Sequence, residues 1–359
     1  MTSALLKKIE NRVLSGKRLS SEEGLLLFET DDIFSVGRLA GRSAEKINGR
    51  KVYFVQNRHI NPTNICVNRC RFCAFSRSKG EKGAYELTIE EVVKRIQDSP
   101  KRTREIHIVG GLHPDWPFEH YLDLVSSIKQ EFPGLHVKAF TAVEIDYFSK
   151  ISGLSLEETL MELKKRGLDA MPGGGAEIFS EAVRRQLCPE KITGERWLAV
   201  HEAAHRWGIK TNATMLYGHI ESYEDRIDHL VKLRELQDRT NGFQAFVPLS
   251  YHPKNTEMGG RYPSAIEDLK TIAVSRLMLD NIPHIKAYWI MLGEKISQLA
   301  LLFGADDLDG TVIEEKITHS AGAMTGEGMT RSQLVNLIQK AGKIPVERDA
   351  LYRAVSQET

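Results

Sequence analysis

The sequence predicts an α/β fold, a (β/α)8 barrel of the TIM type preceded by a helical N-terminal extension. From residue 51 onward, short apolar segments alternate with amphipathic helical patterns, as the units of a parallel barrel require. No low-complexity stretch or Pro/Gly/Ser-rich linker interrupts this alternation. The 359 residues are therefore interpreted as one large barrel, and two ordinary α/β domains are the alternative.

Residues 1–50 are predicted to form the helical extension. The stretch 3–14 has the apolar spacing of an amphipathic helix. Ser20 and Glu23 have the spacing of a capping box and predict the start of a second helix, and a third is predicted over 32–48. We expect three segments: a helical extension at 1–50, the barrel at 51–345 and a C-terminal tail at 346–359.

In the barrel region, eight short apolar segments are predicted to be strands. They are Lys51–Val55, Glu105–Val109, His136–Phe140, Asp169–Met171, Lys210–Ala213, Phe243–Pro248, His284–Ile290 and Asp307–Val312. The predicted helices cover residues 88–98, 118–131, 155–166, 195–207, 222–238, 265–281, 293–303 and 330–341. Capping patterns at Thr88 and Ser155 support two of the helix starts. Functional residues of such barrels lie in the loops that follow the strands, so we expect the site there.

Charge and hydropathy exclude several classes of function. The 49 basic and 48 acidic residues nearly cancel, which leaves no basic surface for a nucleic acid partner. No apolar run of about 18 residues is present, so no membrane span is predicted. The first residues lack the apolar core of an export signal, and together with free thiols this predicts a cytoplasmic location.

Three of the four cysteines, Cys66, Cys70 and Cys73, form a C-x3-C-x2-C arrangement after the first predicted strand. Thiolates this close can share one inorganic cluster, and three ligands for four irons leave one iron open for chemistry. An odd trio argues against disulfides. A zinc site completed by His59 is the alternative, although a second pair of cysteines is missing. Cys188 stands alone and is expected to pack in the core.

The cysteine spacing, with the aromatic Phe72 before the third cysteine, resembles the cluster motif of radical S-adenosylmethionine (SAM) enzymes. The resemblance implies that Cys66, Cys70 and Cys73 bind a [4Fe–4S] cluster and form the catalytic centre. It also implies that SAM binds the open iron and is consumed as a cosubstrate. The predicted barrel is accordingly expected to be a radical SAM barrel.

Six residues are predicted to hold SAM: Phe72, Phe75, Gly110, Gly111, Glu144 and Asn212. The glycine pair follows a strand directly, and without Cβ atoms its backbone can approach the methionine part of SAM. The two phenylalanines are expected beside the adenine, although aromatic rings near a buried cluster can also simply exclude water. Glu144 and Asn212 are expected to bind ribose hydroxyl groups, and a capping or rim role is the alternative for both.

Seven residues near strand ends are predicted to bind an acidic substrate: His59, Gly174, Glu177, Arg184, His219, His252 and His319. The basic side chains among them suit a ligand with carboxylates. Gly174 belongs to a glycine run without the lysine of a P-loop, and it is interpreted as a tight turn that admits the substrate. A single histidine is more often a structural residue, so the prediction depends on the group.

Further stretches place the resemblance within one subgroup of radical SAM enzymes; they are residues 57–64, 110–114 and 171–177. That subgroup holds two futalosine-pathway menaquinone enzymes, aminofutalosine synthase and dehypoxanthine futalosine cyclase, with the deazaflavin (FO) synthases and tyrosine lyase. The stretches that most resemble the aminofutalosine synthases are residues 140–148, 212–219, 248–253, 306–311 and 315–319.

An aminofutalosine synthase is a transferase of menaquinone biosynthesis, and the resemblance implies its reaction. The 5′-deoxyadenosyl radical adds to the vinyl carbon of 3-[(1-carboxyvinyl)oxy]benzoate. Aryl migration and loss of the enolpyruvyl carboxyl group then give 6-amino-6-deoxyfutalosine. A flavodoxin or ferredoxin is the expected reducing partner. Two alternatives are a sister radical SAM enzyme (dehypoxanthine futalosine cyclase or an FO synthase subunit) and, more distantly, a non-catalytic zinc-binding module.

Overall fold

A ring of parallel strands stands at the centre of the protein, whose computed structural model describes residues 3–355. The strands are β1 (Lys51–Val55), β2 (Asn57–Ile60), β3 (Glu105–Ile108), β4 (His136–Ala139), β5 (Ala170–Met171), β6 (Lys210–Tyr217), β7 (Phe243–Ser250), β8 (His284–Ile285), β9 (Asp307–Gly310) and β10 (Ile344–Glu347). The helices are α1 (Ser3–Leu14), α2 (Ser21–Glu29), α3 (Ile33–Asn48), α4 (Ile89–Gln97), α5 (Phe118–Glu131), α6 (Ala142–Ser152), α7 (Leu156–Lys165), α8 (Glu181–Leu187), α9 (Gly194–Arg206), α10 (Tyr223–Thr240), α11 (Ala265–Met278), α12 (Trp289–Ala300), α13 (Ile317–Ser320) and α14 (Arg331–Lys340).

The strands close into a barrel. Strands β2 to β8 form a seven-stranded parallel sheet in chain order. Strand β9 fills the remaining gap, because it pairs in parallel with β1 and a parallel bridge joins Lys286 to Asp307. Only Gln56 separates β1 from β2, so the two behave as one bent strand. The (β/α)8 barrel predicted from the sequence is thus confirmed.

The helical extension packs against the barrel helices. Helix α3 lies against α11, and α2 lies against α10 and α11. The predicted capping box opens α2, since the Glu23 N–H donates to Ser20 Oγ at 3.3 Å and the Ser20 N–H donates to Glu23 Oε2 at 2.9 Å. Strand β10 pairs with β1 and follows the barrel proper, and residues 356–359 of the expected tail lie outside the described residues.

The apolar core fills the space between the barrel and its helices. Ile106 and Ile108 of β3 are fully buried, as are Val125 and Ile128 on the facing side of α5. Burying such side chains contributes about 1.5–3 kcal/mol each, so this layer holds the barrel and fixes where its strands end. Among the described helices, none combines the length and the apolar character needed to cross a membrane.

Several elements differ from the sequence prediction: β2, β10, α8 and α13 were not predicted, and two further differences lie at strand ends. The strand expected over 284–290 ends at Ile285, and α12 begins at Trp289. A short apolar run suits a buried helix as well as a strand, and the indole N–H of Trp289 fixes the helix start by donating to Gly310 O at 2.9 Å. Helix α6 was not predicted; a capping box of Thr141 and Glu144 starts it directly after β4.

Candidate active site

A cavity of about 320 Å³ lies where the strand ends meet the loops that follow them. It is lined by most of the residues predicted for the site: His59, Cys66, Cys70, Phe72, Cys73, Phe75, Gly110, Gly111, Glu144, Gly174, Glu177, Asn212 and His252. The structure therefore brings together residues that are up to 193 positions apart in the chain, from His59 to His252. This cavity is the candidate active site.

The cysteine loop forms one wall of the cavity. All three cysteines are free thiols, and Cys70 is buried. Burial raises the pKa of the Cys70 thiol to about 12 and also raises that of Cys66. Burial thus favours the protonated thiols, and a positively charged ligand would favour the thiolate form. Cys188, in contrast, is buried in the apolar core and does not line the cavity.

The arrangement suits a cluster better than a single metal ion. Among residues 3–355, no three His, Cys, Asp or Glu side chains converge closely enough to hold one metal ion. His59 lies on β2, within the barrel, and it does not complete a tight site with the cysteines. The described residues therefore give no support to the zinc alternative, and the three free thiols line the same cavity, as ligands of one iron–sulfur cluster must.

Gly111 allows the cysteine loop to lie against the end of β3. A Cβ atom at this position would stand 2.2 Å from Ile65 O and 3.0 Å from Cys66 Cβ. The Gly111 N–H donates to Thr63 O at 2.9 Å and ties the two loops together. At Gly110 a Cβ atom would meet nothing closer than Thr63 O, at 3.3 Å. Gly111 is thus needed for the close approach of two backbones.

Glu144 has a structural role at the edge of the cavity. Its carboxylate accepts hydrogen bonds from the Gly110 N–H at 3.1 Å and from the Thr141 N–H at 2.7 Å. Burial raises the pKa of Glu144 to about 7, although these hydrogen bonds oppose the shift. Both carboxylate oxygens therefore have protein partners. One caps the start of α6 through Thr141, and the other holds the backbone of Gly110, the first glycine of the pair.

Asn212 differs from Glu144 because its side chain has an atom with no partner. Asn212 lines the cavity, and its Oδ1 is buried and accepts no hydrogen bond from the protein. A buried amide oxygen of this kind costs free energy unless a ligand or water satisfies it. The placement agrees with the expected contact to a hydroxyl group.

Lys191 is a cavity residue that sequence reasoning missed. Its ammonium group pairs with Glu177 and lies 5.0 Å from the centre of the Phe72 ring. Burial opposes its charge, but the nearby Cys70 thiol and the Glu177 carboxylate raise the pKa of Lys191 well above its usual value. Lys191 lies in the loop between α8 and α9 and not directly after a strand, where site residues were expected. For this reason no sequence motif predicted its place in the cavity.

Three residues predicted to bind substrate lie outside the cavity lining. The buried guanidinium of Arg184 donates to backbone carbonyl oxygens, including Ile178 O at 3.0 Å. His219 accepts the Ile220 N–H at Nδ1 and bonds Leu216 O through Nε2 at 3.0 Å. His319 bonds Glu315 and Thr325 O through its two ring nitrogens. In all three cases the polar atoms of the side chain form hydrogen bonds with neighbouring protein residues and are not available for a ligand.

Of the other predicted substrate contacts, His252 has a free ring nitrogen. Its Nε2 bonds Met291 O at 3.0 Å, and its buried Nδ1 has no partner. His59 contacts a residue that was not predicted, since its Nε2 lies 3.2 Å from Nδ1 of His107. An alternation of polar residues along β3, at Glu105 and His107, is the sequence signal that would have placed these side chains inside the barrel.

Comparison with known proteins finds similarity over most of the chain. Residues 60–233 match the model of the radical SAM superfamily, and residues 240–358 match the CofH/MqnC C-terminal region. An aminodeoxyfutalosine synthase from Thermus thermophilus is 50% identical over 97% of this chain and 95% of its own. A 5-amino-6-(D-ribitylamino)uracil–L-tyrosine 4-hydroxyphenyl transferase from Methanopyrus kandleri is 44% identical over 90% of each chain. The crystal structure of methylornithine synthase has the same fold, with a TM-score of 0.75 and 19% identity over 94% of this chain and 97% of that one.

Proposed function

The chain belongs to the radical SAM superfamily, and from that premise we propose that it catalyses the aminodeoxyfutalosine synthase reaction. The observation that carries the proposal is the similarity to the Thermus thermophilus enzyme over nearly the full length of both chains. Enzymes of this superfamily use a [4Fe–4S] cluster and SAM, and the three free cysteines in one cavity fit that requirement.

In this proposal the cluster is bound by Cys66, Cys70 and Cys73, on the loop that Gly111 positions. SAM would be held in the cavity by Phe72 and Phe75 of the same loop and by Gly110, Gly111, Glu144 and Asn212, which also line it. When bound and reduced, the two groups supply a 5′-deoxyadenosyl radical. The chain's own contribution is to keep water out and to fix the alkene of the substrate beside the adenosyl carbon.

The substrate is 3-[(1-carboxyvinyl)oxy]benzoate. A carbon–carbon bond forms between the 5′ carbon of the adenosyl group and the terminal vinyl carbon. The addition leaves a radical on the carbon next to the ether oxygen, and the aryl group moves from that oxygen to this carbon. The enolpyruvyl carboxyl group then leaves as CO2 with one electron, which would return to the oxidised cluster, and the carbon–oxygen bond becomes the ketone of 6-amino-6-deoxyfutalosine. Because the radical adds to the substrate and is not quenched by hydrogen, the enzyme must hold two reacting carbons within bonding reach.

The electron for the cluster comes, in this proposal, from a small acidic redox protein such as a flavodoxin or a ferredoxin. Arg69, Arg71 and Lys79 are exposed on the cysteine loop; Arg71 pairs with Glu257 and Lys79 with Asp115, so that Arg69 is the cation among them without a carboxylate partner in the described residues. Attraction between opposite charges speeds such encounters and weakens as salt rises. The rate of cluster reduction by flavodoxin should therefore fall with added sodium chloride, and a rate that is insensitive to salt would contradict the proposal.

Product analysis tests the proposed reaction against the transfer of a 4-hydroxyphenyl group, which the similarity to the Methanopyrus kandleri protein favours as the second candidate. Reconstituted and reduced enzyme is incubated with SAM and either the enolpyruvyl benzoate or the pair of L-tyrosine and 5-amino-6-(D-ribitylamino)uracil. Mass spectrometry should find 6-amino-6-deoxyfutalosine in the first reaction and no coupled product in the second. The reverse outcome would establish the second candidate.

A further inference from the structure

The interior of the barrel carries an unusual row of polar side chains. Four neighbouring strands and the residue that directly follows β8 contribute one side chain each to what we call the polar belt: Lys286, Asp309, His59, His107 and Lys138. His59 stands beside His107 in the register of β2 and β3, and His107 stands beside Lys138 in that of β3 and β4. Barrel interiors of this type are normally filled by branched apolar side chains, so a charged row that lines a cavity needs an explanation.

Most charges in the belt are already paired. Lys138 donates to Glu105 at 2.7 Å, and both side chains are buried. Lys286 donates to Asp309, which leaves further ammonium hydrogens of Lys286 without a protein acceptor. The remaining polar atom is Nε2 of His107, which is buried and has no partner in the protein. Two donor groups are thus available at one end of the cavity.

The contacts of His59 determine which nitrogen of His107 carries a proton. Nε2 of His59 lies 3.2 Å from Nδ1 of His107 and 3.8 Å from Oδ2 of Asp309. A proton on that nitrogen points toward two acceptors, whereas a lone pair there would face the Asp309 carboxylate. The carboxylate therefore favours the tautomer in which His59 donates to His107 Nδ1. His107, which burial keeps neutral by lowering its pKa, then carries its own proton on Nε2, a buried donor without a protein partner on a residue that lines the cavity.

The belt lies deeper in the barrel than the cysteine loop. His107 precedes Gly110 by three residues of extended chain, which corresponds to about 10 Å. The following residue, Gly111, touches the backbone of the cysteine loop. A ligand that reacts beside the cluster and reaches the belt must therefore be elongated, with its reacting group at one end and an anion at the other.

We propose that the polar belt binds the ring carboxylate of a meta-substituted benzoate, with His107 Nε2–H and the Lys286 ammonium group as its hydrogen-bond donors. The assignment rests on the proposed function. In the enolpyruvyl benzoate, the carboxyl group that leaves is attached next to the reacting alkene and so stays near SAM. The ether oxygen and the ring separate the other carboxylate from the alkene, and that carboxylate is the one that extends toward the belt.

The test compares two ligands that differ only in the ring carboxylate: the enolpyruvyl benzoate and the corresponding phenyl ether without that group. Dissociation constants are measured by calorimetry on the reconstituted enzyme with SAM and without reductant, so no turnover occurs. His107→Phe keeps an aromatic ring but removes the donor. It should weaken binding of the benzoate about ten- to a hundredfold, the range for a hydrogen bond to a charged group, and leave the phenyl ether unaffected. His107→Gln restores an N–H donor and should recover part of the loss.

The control variant is His120→Phe, because His120 is a histidine of α5 outside the cavity. It should change the binding of neither ligand. Equal weakening of both ligands by His107→Phe, or no weakening of the benzoate, would overturn the assignment. If His107→Phe does not fold, the wild-type protein still decides: it should bind the benzoate at least about tenfold more tightly than the phenyl ether, and equal affinities would overturn the assignment. Failure of the proposed function appears separately, as absence of product in the reduced enzyme.

Discussion

Replacing Gly111 by alanine tests how the barrel holds the cysteine loop. The added Cβ atom would stand 2.2 Å from the carbonyl oxygen of Ile65. Cβ atoms in real proteins essentially never approach another heavy atom more closely than 3.0 Å. The clashing atom belongs to the backbone, so no side-chain rotation relieves it. The loop that carries Cys66 must move away from the end of β3, and the three thiols then no longer face the cavity together.

The overlap of the added Cβ atom with Ile65 O sets the size of the loss in cluster binding. Overpacking of a well-filled site costs about 1–3 kcal/mol, and here the cost falls on the conformation that binds the cluster. The equilibrium constant for adopting the cluster-binding conformation should therefore fall about five- to 150-fold. Gly110→Ala is the neighbouring control, since its Cβ atom would approach nothing closer than 3.3 Å. Gly134→Ala is a second control, because its Cβ atom would meet nothing within 4 Å.

The assay is the iron and sulfide content per chain after anaerobic reconstitution, together with the rate of methionine release from SAM and the melting temperature. Gly111→Ala should lose most of its iron and its SAM cleavage, while Gly134→Ala keeps both and Gly110→Ala keeps most of its iron. Full iron content and full SAM cleavage in Gly111→Ala would refute the reasoning that the glycine is required for the close approach of the two loops.

Four further outcomes are expected. Cys70→Ser should lose iron and SAM cleavage, whereas Cys188→Ser should keep its iron, as measured by metal analysis. Asn212→Ala should weaken SAM binding about tenfold in calorimetry without lowering the melting temperature, because Oδ1 of Asn212 has no protein partner to lose. Arg184→Lys should lower the melting temperature and leave substrate binding unchanged, since buried carbonyl oxygens lose their donor. The hydrogen bond between His319 and Glu315 raises the pKa of His319 to about 9. This pair therefore stabilises the fold fully below pH 6.5 and loses that effect as the pH rises through 9. Denaturant unfolding of His319→Gln should therefore show a loss of stability near pH 6 that disappears near pH 10.

The fold was largely predictable because its signals are local. Amphipathic periodicity and capping boxes depend on residues within one or two turns, and the boxes at Thr88 and Ser155 start α4 and α7 as expected. Strand β2 escaped prediction because its inward-facing positions are polar, with Asn57 and His59 where apolar residues normally alternate. One of these residues, His59, lines the inner end of the candidate site.

The candidate site was predictable where a motif carries the chemistry and not where partners come from distant segments. The cysteine spacing and the position of the glycine pair after a strand predicted that these residues meet at one site, and the structure places all of them around one cavity. Whether a histidine or arginine is free for a ligand depends on what the fold places beside it. Arg184 faces carbonyl oxygens and His319 faces Glu315, so both are occupied, whereas His107 has a free nitrogen that only the packing of three strands reveals.

Tracing the adenosyl carbons of SAM tests the central claim most directly. The reduced enzyme is incubated with the enolpyruvyl benzoate and SAM that carries ¹³C throughout its adenosyl group, and the products are separated and analysed by mass spectrometry. Radical addition predicts that the label appears in 6-amino-6-deoxyfutalosine in proportion to the SAM consumed, with 5′-deoxyadenosine as a minor product. Recovery of all the label in 5′-deoxyadenosine, with none coupled to the benzoate, would contradict the account, because the enzyme would then abstract hydrogen instead of joining the two carbons.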